Sequence, residues 1–280
     1  MSGETFVLVH GGGHGGWAFG EVAPFLVEAG CAVVAPDLPG HGLRARFADS
    51  WWTRAREPGD FASHRSPLGQ LSLEDLTAAV VSVVQRVGHA DRPVVLVGHS
   101  MAGVVVNRVA EAVPELVRRL VYISAWMVGA GRSFADYQAM PEMASTEVGS
   151  LVLADPAAVG ALRIDFGSTD AAYRARVKSV FAADVEQQLW DAAAHLLTPD
   201  TPAGVFAEPV AVTADRWGTV ARTYVRCAAD RALPPAAQDL FIQEADAFTP
   251  GNPTRVRKLA TSHSPFLSQP EQLARLLLEP

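Results

Sequence analysis

Cysteine and lysine are the scarce residues of this 280-residue chain. Its only thiols are Cys31 and Cys227, far apart and in no CxxC or four-membered pattern. That argues against a disulfide scaffold or a zinc cluster and makes a reducing compartment, the cytoplasm, the expected setting. The only lysines are Lys178 and Lys258, and neither stands four residues after a tyrosine, so the Tyr-x-x-x-Lys pair of short-chain dehydrogenases is missing. Basic residues are outnumbered 23 to 30 by acidic ones, for a net charge of −7. That balance suits neither a nucleic-acid partner nor an anionic membrane. No apolar run approaches the ~18 residues of a membrane helix, and no basic-then-apolar leader opens the chain, so neither a membrane span nor a signal peptide is expected.

With 49% hydrophobic and 19% charged residues, the chain has ample material for a core. Short apolar runs at 6–9, 31–35, 94–97, 120–124, 223–226 and 255–260 read as strands. The first and third lack polar alternation, as expected of strands covered on both faces. Between them lie helix signals. Ser72-Leu73-Glu74-Asp75 resembles a capping box ahead of Leu73, Leu76, Val80, Val83, Val84 and Val87 on one face, with Gly88 as the stop. Pro235 and Pro270 suit the first turn of two later helices. The alternation predicts an α/β fold with a doubly wound, mainly parallel sheet. Residues 126 to about 215 break the rhythm with three expected helices, 156–163, 170–182 and 185–197, and no strand between them. They read as a helical lid inserted between core segments 1–125 and 216–280. The stretch 41–69, with Trp51, Trp52 and five arginines, is long for a connection and reads as either a functional loop or a disordered excursion.

The strongest motif is Gly98-His99-Ser100-Met101-Ala102-Gly103 between the strand at 94–97 and a helical run. A G-x-S-x-x pattern on a strand–turn–helix lifts a serine to the apex of a tight turn, where only small neighbours fit; Ala102 replaces the usual last glycine. A serine that merely caps the helix is the plainer alternative. An activated serine needs a base and an orienting acid. Asp230 follows the strand at 223–226 and His263 the strand at 255–260, both at the carboxyl edge that carries Ser100. Taken singly, a loop aspartate or a lone histidine has a duller explanation; order and placement together favour a triad.

Val9-His10-Gly11-Gly12-Gly13-His14-Gly15-Gly16-Trp17 follows the first strand. Its backbone N–H groups, Gly12 foremost, can face a developing oxyanion together with the N–H of Met101. The same string spells a dinucleotide fingerprint, Gly11, Gly13 and Gly16, with Asp37 at the distance of a ribose-binding acid. That reading leaves Ser100, Asp230 and His263 idle and is rejected. His10 and His14 lack the HExxH context of a metal site and read as loop-packing residues; no metal is expected. Trp126, Met127, Phe134 and Tyr137 are candidates for an apolar substrate pocket or, equally, for lid core. Gly11 and Leu233 complete the candidate pocket.

With these pieces in place, the chain resembles the methylesterase and hydroxynitrile lyase branch of the α/β-hydrolase superfamily. The resemblance is carried by residues 6–17, by Val34-Ala35-Pro36-Asp37-Leu38-Pro39-Gly40-His41-Gly42, by the Ser100 turn, by Tyr224 to Asp230 with Leu233-Pro234, and by the His263 loop ending in Gln269-Pro270. It implies an α/β-hydrolase fold, a triad of Ser100, Asp230 and His263, oxyanion donors at Gly12 and Met101, no cofactor, and a small-molecule ester or lactone as substrate; a homodimer is compatible with it. The branch's lyases are similar but have a lysine after the catalytic histidine and a threonine in the oxyanion loop, where this chain has Ser264 and Gly11. Ester hydrolysis through an acyl-enzyme is therefore the expected activity. The alternatives are a hydroxynitrile or other C–C lyase on the same triad, and a non-catalytic ligand-binding protein on the same scaffold.

Overall fold

Val7 and Val9 face one side of the first strand, Phe6 and Leu8 the other, and all four are fully buried. The two pairs belong to different apolar clusters, one on each face of the sheet. An uninterrupted apolar strand is therefore what the position requires. The structure, a computed structural model, describes residues 3–129 and 131–280. Its strands are β1 (Thr5–Val9), β2 (Ala32–Val34), β3 (Val94–His99), β4 (Val117–Ile123), β5 (Ala161–Arg163), β6 (Asp200–Pro202), β7 (Ala221–Cys227) and β8 (Arg255–Leu259). Six of them form one parallel sheet in the order β2-β1-β3-β4-β7-β8. All six expected strands are in it. The chain moves outward from β1 in both directions, so the carboxyl ends of β1 and β3 flank the switch point where α/β sheets bind ligands.

Helix α1 (Leu73–Val87) begins with a complete capping box between Ser72 and Asp75 and buries Leu73, Leu76, Val80 and Val84. It packs beside α2 (Ala102–Ala112), the helix that leaves the Ser100 turn. Pro235 and Pro270 each stand in the first turn of a helix, Pro235–Phe248 and Pro270–Leu278, where a missing N–H costs nothing.

The segment between β4 and β7 departs from expectation. Two of its three expected helices are present as α3 (Ala171–Phe181) and α4 (Gln187–Leu196). The stretch 156–163, expected as a helix, is instead one turn, Pro156–Val159, ended by Gly160 in the left-handed region at φ 81°. The chain then enters β5, which pairs antiparallel with β6. Glycine permits that reversal at no steric cost, and three residues are too few for a strand to register as a periodicity. Side chains of the segment join both clusters of the sheet, among them Tyr137 and Met143 on one face and Ile164 and Val177 on the other.

The 41–69 stretch is ordered. It contains two short helices, Ser50–Thr53 and Pro58–Ser63. Arg163 of β5, fully buried, makes a two-pronged ion pair with Asp200 of β6 at 2.7 and 2.8 Å. The same guanidinium donates to the carbonyl oxygens of Phe61 (2.5 Å) and His64 (2.7 Å). Arg54 reaches the opposite way, to Asp165 and to the Gly167 carbonyl, both at 3.1 Å. Two arginines thus strap the excursion onto the β5–β6 hairpin. None of the described helices is long and apolar enough to cross a membrane.

Candidate active site

The sheet register brings the glycine loop to the serine. β1 and β3 run parallel with Val9 beside Gly98. Two residues further along each strand, Gly11 lies beside Ser100 so closely that a Cβ on Gly11 would come within 2.8 Å of the Ser100 Cβ. Ser100 has φ 51°, in the left-handed region that L-residues avoid. That strained apex is what a nucleophile elbow requires. Three bonds hold it: Ser100 N–H donates to the Ile123 carbonyl at 3.2 Å, and the Ser100 carbonyl accepts the N–H groups of Gly103 and Trp126, both at 3.0 Å. The small residues have specific reasons. A Cβ on Gly98 would meet Val106 and the Ala102 carbonyl, and one on Gly103 would lie 2.6 Å from the Trp126 backbone. The tight approach thus falls on Gly103, which explains why a methyl group at Ala102 is accommodated.

Asp230 and His263 meet beyond the ends of β7 and β8. His263 Nδ1–H donates to Asp230 Oδ2 at 2.6 Å, with both side chains buried. This tautomer leaves Nε2 as the acceptor. The other carboxylate oxygen, Oδ1, accepts the N–H groups of Ala232 (2.7 Å) and Leu233 (2.8 Å). Ser124, at the end of β4, donates its hydroxyl to Oδ2 as well. Nothing in the sequence marked Ser124; its only signal is its position one residue past a strand end. The residues flanking His263 are tied to the inserted segment: Ser262 donates to Asp184, and Ser264 Oγ donates to the Phe181 carbonyl at 2.8 Å.

Neither Gly12 nor Met101 gives its backbone N–H to an acceptor among the described residues, and both line the same cavity as Ser100 and His263. Two uncommitted backbone N–H groups on residues that line one cavity with a serine hydroxyl are the elements an oxyanion hole would use. The loop that carries Gly12 is anchored from three sides. Thr198 N–H donates to the Gly13 carbonyl at 2.8 Å. Asp37 accepts from Gly16 N–H (2.7 Å) and Leu43 N–H (2.8 Å). His10 and His14 donate from Nδ1 to the carbonyls of Gly11 and Gly12, both at 2.8 Å. Asp37 therefore has a structural task in the place where a dinucleotide reading would use it on a ribose. Burial holds the imidazoles of His10 and His99 well below their ordinary value and those of His14 and His41 down at about 4. His99 donates from Nε2 to the backbone carbonyl of His263 at 2.9 Å and so helps to set that loop.

The cavity measures about 660 Å³, within the range of small-molecule sites. Trp126, Phe134 and Leu233 line it, as expected from sequence. Gly11, Met127 and Tyr137 do not. Gly11 is covered by Ser100 and His99. Met127 is wholly buried behind Trp126, and the Tyr137 hydroxyl accepts Gly129 N–H at 3.1 Å and donates to Glu244. Met127 and Tyr137 belong to the apolar cluster on one face of the sheet, and Gly11 is packed under the Ser100 turn. Sequence reading missed Thr201 of β6 and Phe166, Phe181 and Phe206 on the cavity wall. Thr201 lies in β6, Phe166 in the loop after β5, Phe181 at the last position of α3 and Phe206 in the one-turn helix Gly204–Ala207, places that share no pattern along the sequence.

Residues 6–276 match the family model described as the alpha/beta hydrolase family. The chain belongs to that family. Among curated proteins it is 28% identical to a putative chloroplastic methylesterase 12 of Arabidopsis thaliana over 282 residues, covering 99% of this chain and 71% of the relative. It is 26% identical over 280 residues to a pyrethroid hydrolase of Sphingobium wenxiniae, covering all of this chain and 88% of the relative. Polyneuridine aldehyde esterase of Rauvolfia serpentina is 27% identical over 286 residues, with 99% and 95% covered. The crystal structure of a pyrethroid hydrolase superposes on this hydrolase with a TM-score of 0.76 at 25% identity, covering 98% of this chain and 96% of the other.

Proposed function

We propose that this alpha/beta hydrolase is a serine carboxylesterase acting on a small to medium, largely apolar ester or lactone. Its named relatives are esterases and hydrolases. The observation that carries the reading is the convergence on one apolar cavity of Ser100, of His263 paired with Asp230 at 2.6 Å, and of two uncommitted N–H groups.

The chemistry follows from those positions. His263 Nε2 accepts the Ser100 hydroxyl proton as Oγ bonds to the ester carbonyl carbon. The carbonyl oxygen becomes an oxyanion held by the N–H groups of Gly12 and Met101, and Asp230 stabilises the imidazolium. Collapse breaks the bond to the alcohol oxygen, which leaves with the proton from His263. Water then repeats the sequence on the acyl-enzyme: His263 takes its proton, the hydroxyl attacks the acyl carbon, and Ser100 regains its hydrogen as the acid departs.

Cyanohydrin cleavage on the same triad has less support here, since the residue after His263 is Ser264, whose hydroxyl is engaged by the Phe181 carbonyl. No cation stands there to stabilise departing cyanide. The test is p-nitrophenyl ester turnover and fluorophosphonate labelling of the wild type and Ser100→Ala. Loss of both, with turnover reduced by several powers of ten, is expected; a variant that retains full turnover removes the proposal.

A further inference from the structure

We infer that this cavity selects neutral esters carrying a bulky apolar group on the alcohol side as well as on the acyl side, so that simple methyl esters are poor substrates. The inference rests on the esterase reading and adds which arm of the ester goes where.

The tetrahedral carbon carries four groups whose directions the site dictates. One is bonded to Ser100 Oγ, and the oxyanion points at Gly12 and Met101. The departing alcohol oxygen must lie toward His263 Nε2, because the proton it takes comes from there. The acyl substituent takes the direction that remains. The alcohol arm therefore enters the space beside His263. Phe181 stands there with its ring centroid 5.8 Å from that of His263, and Phe166 continues the wall 5.9 Å beyond. The backbone fixes both rings. Ser264 holds the Phe181 carbonyl, and the Phe166 ring lies against Gly13, where an added Cβ would meet it at 3.0 Å.

A second aromatic group is tied to the Ser100 backbone. Trp126, bonded to the Ser100 carbonyl through its N–H, packs on Phe134 at 4.1 Å between centroids, and Phe134 on Phe206 at 4.7 Å. Trp126, Phe134 and Phe206 all line the cavity, as do Phe166 and Phe181. The cavity that holds Ser100 thus carries two aromatic groups, one beside the His263 imidazole and one beside the Ser100 backbone. A methyl alcohol arm leaves the Phe166–Phe181 wall without a partner and forfeits its burial. Charge points the same way. No lysine or arginine is among the described residues of the wall, and outside the histidines its one ionisable side chain is Asp155. A second, charged carboxylate on the substrate would be desolvated with no counter-ion.

The test uses matched methyl and benzyl esters of hexanoic acid, whose alcohols are of comparable acidity, so that intrinsic reactivity does not decide the outcome. The expected kcat/KM for the benzyl ester exceeds that for the methyl ester by at least about 10-fold. Phe181→Ala, and more mildly Phe181→Leu, lower this ratio toward one. Phe206→Ala instead lowers the preference for p-nitrophenyl hexanoate over acetate. Thermal melts of each variant separate a changed pocket from a failed fold. If Ser100 accepts a fluorophosphonate and p-nitrophenyl acetate is turned over, yet benzyl and methyl esters are used equally, the subsite assignment falls and the esterase reading stands. Absence of both labelling and turnover of any ester takes down both.

Discussion

Ser124 donates its hydroxyl to the same oxygen of Asp230 that receives His263 Nδ1–H. The two residues come from neighbouring strands, β4 and β7, which run in register with Ile123 beside Val225. Ser124 adopts φ 38° to make the contact, the second positive φ of a non-glycine residue in the site after Ser100. A strained backbone in a fully buried position persists only where the surroundings over-determine it. Here they do: the Ser124 N–H is held by the Val225 carbonyl at 2.9 Å. Its hydroxyl orients the carboxylate, which in turn orients the imidazole.

Removing that hydroxyl should cost turnover rather than folding. Hydrogen bonds to charged groups contribute about 1.5–3 kcal/mol, which corresponds to roughly 10–100-fold in rate if the bond matters fully in the transition state. Ser124→Ala is expected to lower kcat for a p-nitrophenyl ester by about 10-fold with KM little changed. An unaltered kcat in the alanine variant would show that Asp230 is held adequately by the N–H groups of Ala232 and Leu233.

Gly12 and Thr201 are set against each other. A Cβ at Gly12 would lie 2.6 Å from Thr201 Oγ1 and 3.1 Å from its Cγ2. Gly12→Ala should therefore push either the β6 strand or the oxyanion N–H out of place, with loss of roughly 100-fold in kcat, the scale of one lost donor. Thr201→Ala opens room, and the double variant should regain part of the loss. Steady-state kinetics of the two single variants and the double variant supply the check; strictly additive losses would contradict steric coupling.

The Arg163–Asp200 pair makes the β5–β6 hairpin and the 41–69 excursion one unit. Breaking a buried ion pair from one side costs about 3–5 kcal/mol, because the remaining charge stays desolvated. Asp200→Asn is expected to lower the melting temperature by roughly 10 °C, given about 2–4 °C per kcal/mol for chains of this size. Amide exchange should then rise first in residues 50–66, whose carbonyls Arg163 holds. Protection there equal to wild type would mean that the Arg54 strap suffices.

Stability should fall as the pH drops below neutrality. Burial keeps His14 and His41 neutral in the folded state down to about pH 4, whereas in the unfolded chain they take up protons near 6.5. Between those values the unfolded state binds more protons, so unfolding free energy decreases with falling pH, by up to about 1.4 kcal/mol per pH unit for each imidazole. Above about pH 6.5 their contribution is constant. Calorimetric scans between pH 7.5 and 4.5 should show the decline setting in below about 6.5; a melting temperature flat across that range would refute it.

Much of the site was legible along the chain because its chemistry is written at strand ends. Continuous apolar runs located β1 and β3 and shorter ones β4, β7 and β8, and the candidate oxyanion loop, Ser100, Asp230 and His263 each follow within a few positions of the carboxyl end of β1, β3, β7 or β8. The Ser100 turn declared itself through the small residues that its backbone approach demands. The inserted segment was less readable. Its one-turn helix, three-residue strands and arginine straps involve too few residues to create a period, and the partners of Arg163 lie 37 and about 100 positions away. For Met127 and Tyr137 the sequence leaves pocket and core equally open, because apolarity alone does not say whether a side chain faces ligand or core.

What the sequence determined by itself was the alternation of strands and helices, the tight serine turn and the candidate aspartate and histidine at strand ends, since local sterics and hydrophobic patterning act over neighbouring residues. Which of those strands lie side by side, and hence that Ser124 bonds to Asp230, that Thr201 lies against Gly12 and that two aromatic groups line the cavity of Ser100, was decided only by the folded chain. Contacts between distant segments are set by register and packing, and these belong to the assembled sheet rather than to any one stretch of it.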